Sequence, residues 1–328
     1  MAKFLLTGGA GYIGSHTNLA LAEAGHETLV FDDLSTGFRE LVTQGELIVG
    51  DLLDQSVLDD VLEDGAFDAV IHFAAKNFVG ESFENPSKYW RNNVLGTRNL
   101  LDSMSRFGPN VLVFSSSCAV YGEPVKIPIS EDHPLAPLNP YGRTKLACEW
   151  MIEEEAIAHR LKFANLRYFN AVGADPEGRI GMLLPSHPQL LEACIDTALG
   201  KRDVLPVFGN DYPTKDGTGL RDFIHVSDLA SAHIAAAERL LEGGNSMTLN
   251  LGTGKGFTVF EVIREVEKQW GDKFNVELRP RRSGDPAVSV ADSLMAQHIL
   301  AWNPRFSDLE TIVATALNWQ RRRCESCS

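Results

Sequence analysis

Cysteine is scarce in this chain, with five in 328 residues, at Cys118, Cys148, Cys194, Cys324 and Cys327. An odd, scattered set does not make the paired framework of a small secreted domain and points to a reducing, cytoplasmic setting. Only Cys324 and Cys327 stand close together, and no second pair or neighbouring histidine completes a zinc site, so no metal is expected. Long apolar runs are missing too. No stretch is long enough to span a bilayer, and the N-terminus lacks a basic segment followed by an apolar run and a cleavage site, so neither a membrane span nor a leader is expected. Positive charge is in deficit, 30 Lys and Arg against 44 Asp and Glu, for a net charge of -14. Nucleic acids and anionic membrane surfaces would be repelled overall. An anionic small molecule remains compatible, provided that a few arginines are placed locally to meet it.

What is present reads as a globular chain, 44% hydrophobic and 23% charged, long enough for one large or two ordinary domains. Short apolar runs lie at Lys3–Thr7, Glu27–Phe31, Leu47–Val49, Ala69–Phe73, Val111–Ser115 and Phe163–Tyr168. Each is apolar on both parities, as a parallel strand covered on both faces must be. Longer amphipathic stretches separate most of them, the first at Ile13–Ala24. The first 170 or so residues therefore predict an α/β fold with a doubly wound parallel sheet. After that the rhythm breaks. Turn-rich segments fill 171–225, and short helices and strands are mixed over 243–328, which predicts a smaller, irregular second domain.

TGGAGYIGS (Thr7–Ser15) follows the first strand and opens the first helix. Gly8, Gly11 and Gly14 recur every third residue, where a Cβ would keep a phosphate from the backbone and from the helix N-terminus. Such a turn is the phosphate cradle of a Rossmann-type dinucleotide site. About twenty positions on, the second strand ends in Asp32, placed to accept hydrogen bonds from a ribose. Asp32 and Asp33 together would repel a 2′-phosphate, which favours NAD over NADP. Asp51 and Leu52, after the third strand, are placed to meet the adenine.

The fifth strand runs into VFSSSCAVYG (Val113–Gly122), so Ser115, Ser116 and Ser117 emerge at a carboxyl end, where ligands of such sheets bind. Further on, NPYGRTK sets Tyr141 and Lys145 four residues apart, about one helical turn, on one face. Serine, tyrosine and lysine form a proton-transfer set. A neighbouring ammonium and a positive nicotinamide favour the phenolate and lower the tyrosine pKa, the serine orients the reacting oxygen, and the phenolate takes a hydroxyl proton as hydride leaves the adjacent carbon.

TGGAGYIGS, the serines before VYG and the YxxxK pair resemble the extended short-chain dehydrogenase/reductase family. RYFNAVGADPEG (167–178), FGNDYPTKDGTGLRDFIHVSDLA (208–230), NLGTGKG (250–256) and PRRSGDPA (280–287) narrow the resemblance to its UDP-sugar 4-epimerases, over nearly the whole chain. The resemblance implies a Rossmann-type NAD-binding domain over 1–175 and a mixed α/β sugar-nucleotide domain over 176–328, with some exchange of chain between them around 208–250. It implies reversible epimerisation at carbon 4, between UDP-glucose and UDP-galactose, through a transient 4-keto sugar with NAD kept bound. It also implies a homodimer. The catalytic residues would be Ser117, Tyr141 and Lys145. Cofactor contacts would be Gly8, Gly11, Tyr12, Ile13, Gly14, Asp32, Asp33, Asp51, Leu52, Phe73, Ala74, Ala75, Asn92, Ser115 and Phe169, with Tyr141 and Lys145. Substrate contacts would be Asn170, Arg221, Arg282, Asp285 and Ser289, with Ser117 and Tyr141.

Three positions depart from the family pattern. Asn77 stands where a lysine is usual, with Lys76 one place earlier. Gln189, in the segment 178–195, replaces an asparagine beside a substrate phosphate. Ser289 stands where some members carry a tyrosine lining the sugar pocket, which leaves room for N-acetylated sugars. Sugar-nucleotide dehydratases and decarboxylases need an acid just before VYG, and Cys118 and Ala119 supply none. A 4-epimerase of another UDP-sugar, a pentose or a uronate, stays open, as does a dehydrogenase; a non-catalytic NAD-binding protein would not need Ser117, Tyr141 and Lys145 together. His72 is expected to be a core histidine, and His225 and Asp228 structural and helix-capping residues.

Overall fold

A computed structural model describes residues 1–183, 188–282 and 284–326. Its strands are β1 (Lys3–Thr7), β2 (Glu27–Asp32), β3 (Glu46–Val49), β4 (Ala69–His72), β5 (Val111–Ser115), β6 (Lys162–Tyr168), β7 (Asn170–Val172), β8 (Leu205–Phe208), β9 (Leu220–His225), β10 (Met247–Leu251), β11 (Gly256–Thr258), β12 (Val276–Arg279) and β13 (Val288–Ser289). Seven form a parallel sheet in the order β10-β6-β5-β4-β1-β2-β3. The order reverses between β1 and β4, which opens a crevice at their carboxyl ends.

The apolar residues of both parities divide between two cores. Phe4, Leu6, Val30, Ile71, Val113, Leu166 and Leu249 face one side, against Leu21 of helix Tyr12–Glu23 and Leu229, Ala232 and Ala236 of helix Val226–Leu241. Leu5, Val70, Leu112 and Phe114 face the other, against Leu100, Leu101 and Met104 of helix Gly96–Phe107 and Ile152 of helix Pro140–His159. Alternate side chains of a strand point to opposite faces, so a sheet flanked on both sides needs both parities apolar.

The last strand of this sheet, β10, comes from well beyond residue 175 and pairs with β6, Met247 opposite Ala164. Elsewhere, β9 is flanked by β11, β13 and β7, and β8 pairs with β12. This second region has its own core, built from Leu191, Ile195, Val207, Phe223, Val262, Val266, Ile312, Val313 and Leu317. Among the described residues, no helix is long and apolar enough to cross a membrane. Leu184–His187 of the segment 178–195, and Cys327, lie outside the described residues.

Candidate functional site

The glycines between β1 and helix Tyr12–Glu23 differ in what a Cβ would meet. On Gly8, at φ +74, it would lie 2.4 Å from the Ala74 nitrogen, and on Gly14 2.4 Å from the Gly8 carbonyl oxygen. These two let the turn fold against the β4 loop and against itself. A Cβ on Gly11 would meet only the Gly8 oxygen, at 3.2 Å, and otherwise open space. Gly11 caps the helix without a side-chain hydrogen bond, so the first N–H groups remain free for an anion. Ser15 N is the first to reach back, to Gly11 O at 2.9 Å. The Tyr12 hydroxyl donates to Gly173 O at 2.6 Å and ties this turn to the residue that follows β7.

Beside the turn, Asp32 accepts from Ala10 N (2.9 Å) and Leu34 N (2.8 Å). Burial raises its pKa, against those two N–H groups. Asp33 accepts from Ser35 N and Oγ, and Lys76 reaches across from the β4 loop to donate to Ser35 Oγ, 3.7 Å from the Asp33 carboxylate. The displaced lysine thus stands at the end of β2, which its sequence position did not reveal. Asp51 is exposed and accepts from Leu53 N at 2.9 Å, while Leu52 is buried. Phe73 and Ala74 both donate their N–H groups to Thr7 O, and Phe73 packs on the His233 ring, centroids 4.9 Å apart. Ala75 follows in the same loop, half-buried. Asn92 and Asn93 share a π-helical turn, Trp90–Leu95. The Asn92 side chain donates to Lys88 O, whereas buried Asn93 accepts from Lys76 N (2.8 Å) and donates to Lys76 O and Thr144 Oγ1. Sequence reasoning missed Asn93, the residue that anchors the loop.

The proton-transfer set converges at the end of β5. Asn139 caps helix Pro140–His159 by accepting from Gly142 N at 2.8 Å, and Pro140 begins it. A Cβ on Gly142 would lie 2.4 Å from Ala119 O, so this glycine lets the helix start press against the Ser117–Val120 turn. Tyr141 and Ser117 are both buried and neighbour each other, and Ser117 Oγ accepts from Ala119 N at 3.2 Å. Lys145 is buried, donates to Ser115 O at 2.7 Å and lies 4.8 Å from the centre of the Phe114 ring. Ser115 Oγ and the Tyr168 hydroxyl are 2.7 Å apart.

The chain's own groups do not lower the tyrosine by themselves. Burial pushes the Tyr141 phenol well above its ordinary value, Tyr168 adds to this, and the neighbouring Ser117 hydroxyl opposes it. The Lys145 ammonium one turn away donates to the Ser115 carbonyl, and the positive nicotinamide of the expectation would come only with bound NAD. Burial lowers Lys145 itself to about 8.

On the substrate side, Ser289 of β13 is buried and lies in register with Arg221 of β9. Arg221 donates to Leu220 O at 3.0 Å, and both Arg221 and Ser289 neighbour Cys118, whose thiol burial raises to about 11. Arg282 is exposed and stacks on Phe208 at 3.7 Å, and Asp285, three residues on, is exposed too. Phe169 is buried, its N–H donating to Leu251 O at 3.2 Å, and Asn170 opens β7, half-buried.

The residues read as structural behave so. His72 bonds Thr7 Oγ1 and Thr97 Oγ1 and is lowered to about 3 by burial. His225 caps helix Val226–Leu241, and Asp228 accepts from Arg305 N, Phe306 N and Ser307 Oγ.

Residues 4–252 match the model of the NAD dependent epimerase/dehydratase family. The chain belongs to this family. A UDP-glucose 4-epimerase of Halalkalibacterium halodurans is 48% identical over 97% of this chain and 95% of its own length. A Brucella ovis UDP-glucose 4-epimerase solved in complex with NAD superposes with a TM-score of 0.94 at 46% identity, over 97% of this chain and 98% of that one. A UDP-Glc/GlcNAc 4-epimerase of Campylobacter jejuni gives 0.86 at 42% identity, over 98% and 100%. Within the epimerase/dehydratase family, the turn at Cys118 and Ala119 carries no acid next to Ser117, Tyr141 and Lys145.

Proposed function

We propose that this protein is a UDP-glucose 4-epimerase that interconverts UDP-glucose and UDP-galactose with NAD as its resident cofactor. The carrying observation is the convergence of Ser117, Tyr141 and Lys145 at the end of β5, beside a turn without an eliminating acid. The glycine turn fits NAD, since the open side of Gly11 and the free helix N–H groups form a cradle that any Cβ would fill. Gly8, Gly11, Tyr12, Ile13 and Gly14 would hold the pyrophosphate, and Asp32 and Asp33 the ribose. Asp51, Leu52, Phe73, Ala74, Ala75, Asn92, Ser115 and Phe169 would line the rest.

NAD supplies a hydride acceptor that also returns the hydride, and a positive ring that favours the Tyr141 phenolate. Tyr141 takes the proton of the sugar 4-hydroxyl and gives it back, so no water is lost and no net oxidation results. Ser117 Oγ orients that oxygen, and Lys145 holds positive charge beside it. Arg221 and Arg282 would meet the diphosphate, and Asn170 and Asp285 the rest of the sugar nucleotide. In this reading residues 1–175 bind NAD and 176–328 the substrate, and β10 returns to the first sheet.

Ser289 supports a second reading, the acceptance of UDP-N-acetylhexosamines, as in the name of the Campylobacter jejuni relative. A homodimer and a cytoplasmic setting belong to the proposal. Exposed Trp90, Leu95, Trp150 and Ile157, on neighbouring helices, support the first, and the free thiols of Cys118, Cys148 and Cys194 the second. The test incubates the purified protein with UDP-galactose and assays UDP-glucose, with sedimentation reporting its mass. Product without net NADH is expected, and Tyr141→Phe should slow turnover at least about 100-fold. No product from the parent, or equal turnover by the variant, would sink the reading.

A further inference from the structure

Behind the proton-transfer set lies a buried ion pair that the proposed reaction does not use. Glu149 stands one helical turn after Lys145 and is 1% exposed. Arg167 of β6, also buried, clamps its carboxylate, Nη2 to Oε2 at 2.6 Å and Nε to Oε1 at 3.0 Å. The remaining reach of Oε1 goes to Ser116, whose hydroxyl donates to it. Arg167 Nη1 bonds the Tyr121 hydroxyl at 3.0 Å, and that hydroxyl donates to Asn250 Oδ1 at 2.7 Å. The network therefore joins helix Pro140–His159, the serine turn, β6 and β10.

Ser116 is the hinge of the argument. Its preceding neighbour, Ser115, gives the carbonyl that holds the Lys145 ammonium, and its following neighbour is Ser117. A side chain that fixes Ser116 fixes both. We propose that Glu149 is a positioning residue of the proton-transfer site, holding the Ser115–Ser117 turn through Ser116 while presenting negative charge to Lys145. This rests on the epimerase reading above.

The charges around Lys145 agree. On its own helix it faces Cys148 and Glu149, both of which raise its pKa against burial; from β5 it meets the Ser115 carbonyl and the Phe114 ring, and on β4 its charge depresses buried His72. Burial raises Cys148 to about 11, so its thiol carries no charge near neutrality, which leaves Glu149 as the carboxylate on this helix that opposes the burial of the Lys145 ammonium. Arg167 is the cation that would act on Lys145 in the opposite sense if left unpaired.

The experiment compares the holoenzyme, Glu149→Gln, and Glu149→Gln with Arg167→Met. Glutamine keeps an oxygen for Ser116, and the double variant removes the unpaired buried arginine, which restores fold stability. Bound NAD and thermal unfolding are measured alongside kcat and KM against pH. A lysine that must stay charged sets the alkaline limb of kcat. That limb is expected about one pH unit lower in the double variant and lower still in the single one, with kcat reduced and KM nearly unchanged. A double variant as stable as the parent, whose alkaline limb coincides with the parent's, overturns the proposal, because a purely structural pair behaves that way. A parent that turns over no UDP-galactose would instead sink the epimerase reading, so the two failures are distinguishable.

Discussion

Ser289 is buried at the end of β13, opposite Arg221 and in reach of Cys118. Its size decides what can lie beside it. In Ser289→Tyr, kcat/KM for UDP-N-acetylgalactosamine is expected to fall at least about 10-fold, while that for UDP-galactose stays within about threefold. Initial rates on the two substrates check this, and a parallel loss on both would mean overpacking and no selectivity. At this scale the sequence was legible where spacing carries the chemistry. Tyr141 and Lys145 share a face because four residues make a helical turn. It was not legible at the π-helical turn Trp90–Leu95, where spacing does not show that Asn93 meets the Lys76 loop. Nor does spacing report burial, which is why the upward push of burial on the Tyr141 pKa was not foreseen.

The element between β1 and its helix offers a contrast between two glycines. A Cβ on Gly14 would press within 2.4 Å of the Gly8 carbonyl, whereas one on Gly11 meets the same oxygen at 3.2 Å and then open space. Gly14→Ala should therefore lower stability by about 2 kcal/mol or more, because the helix must move off the turn. Gly11→Ala should cost about 1 kcal/mol or less, as at an ordinary helix cap, yet lose bound NAD. Thermal unfolding and the NAD released on denaturation read the two effects separately. Full NAD content in Gly11→Ala would contradict the cradle. The six early strands were legible to within a residue at each end, since apolar runs of both parities have few other uses. The partnership of β10 was not. The resemblance implied an exchange of chain around 208–250, but which sheet β10 joins depends on helix Val226–Leu241 carrying the chain back across the first sheet, a matter of tertiary packing.

For the whole molecule, a net charge of -14 disguises how much of its pH response lies in the core. Four histidines are buried and held neutral, His72 and His225 lowered to about 3 and His16 and His233 to about 4, each chiefly by burial. Unfolded, each would titrate near 6.5. Above that pH both states are neutral and the histidines contribute their full stability. As pH falls below 6.5 the unfolded chain takes up protons that the folded chain excludes, so stability is lost continuously toward pH 3–4. Each contributes a loss of about 1.4 kcal/mol at one pH unit below its unfolded value. Buried Glu192 acts in the opposite sense. Burial raises it to about 7, so the folded state gains stability as pH falls from 7 toward the unfolded carboxyl value. Asp32, Glu131, Glu153, Asp196 and Asp222 are raised by burial too and add to this offset, which reduces the loss from the four histidines at pH 5.5 without cancelling it. The midpoint of thermal unfolding is thus expected several degrees lower at pH 5.5 than at pH 7.5, by circular dichroism at equal ionic strength. An unchanged or higher midpoint would mean that these histidines take up their protons inside the folded chain. The hydrogen bonds from His72 to Thr7 and Thr97 and from His225 to Thr315 would then have to rearrange.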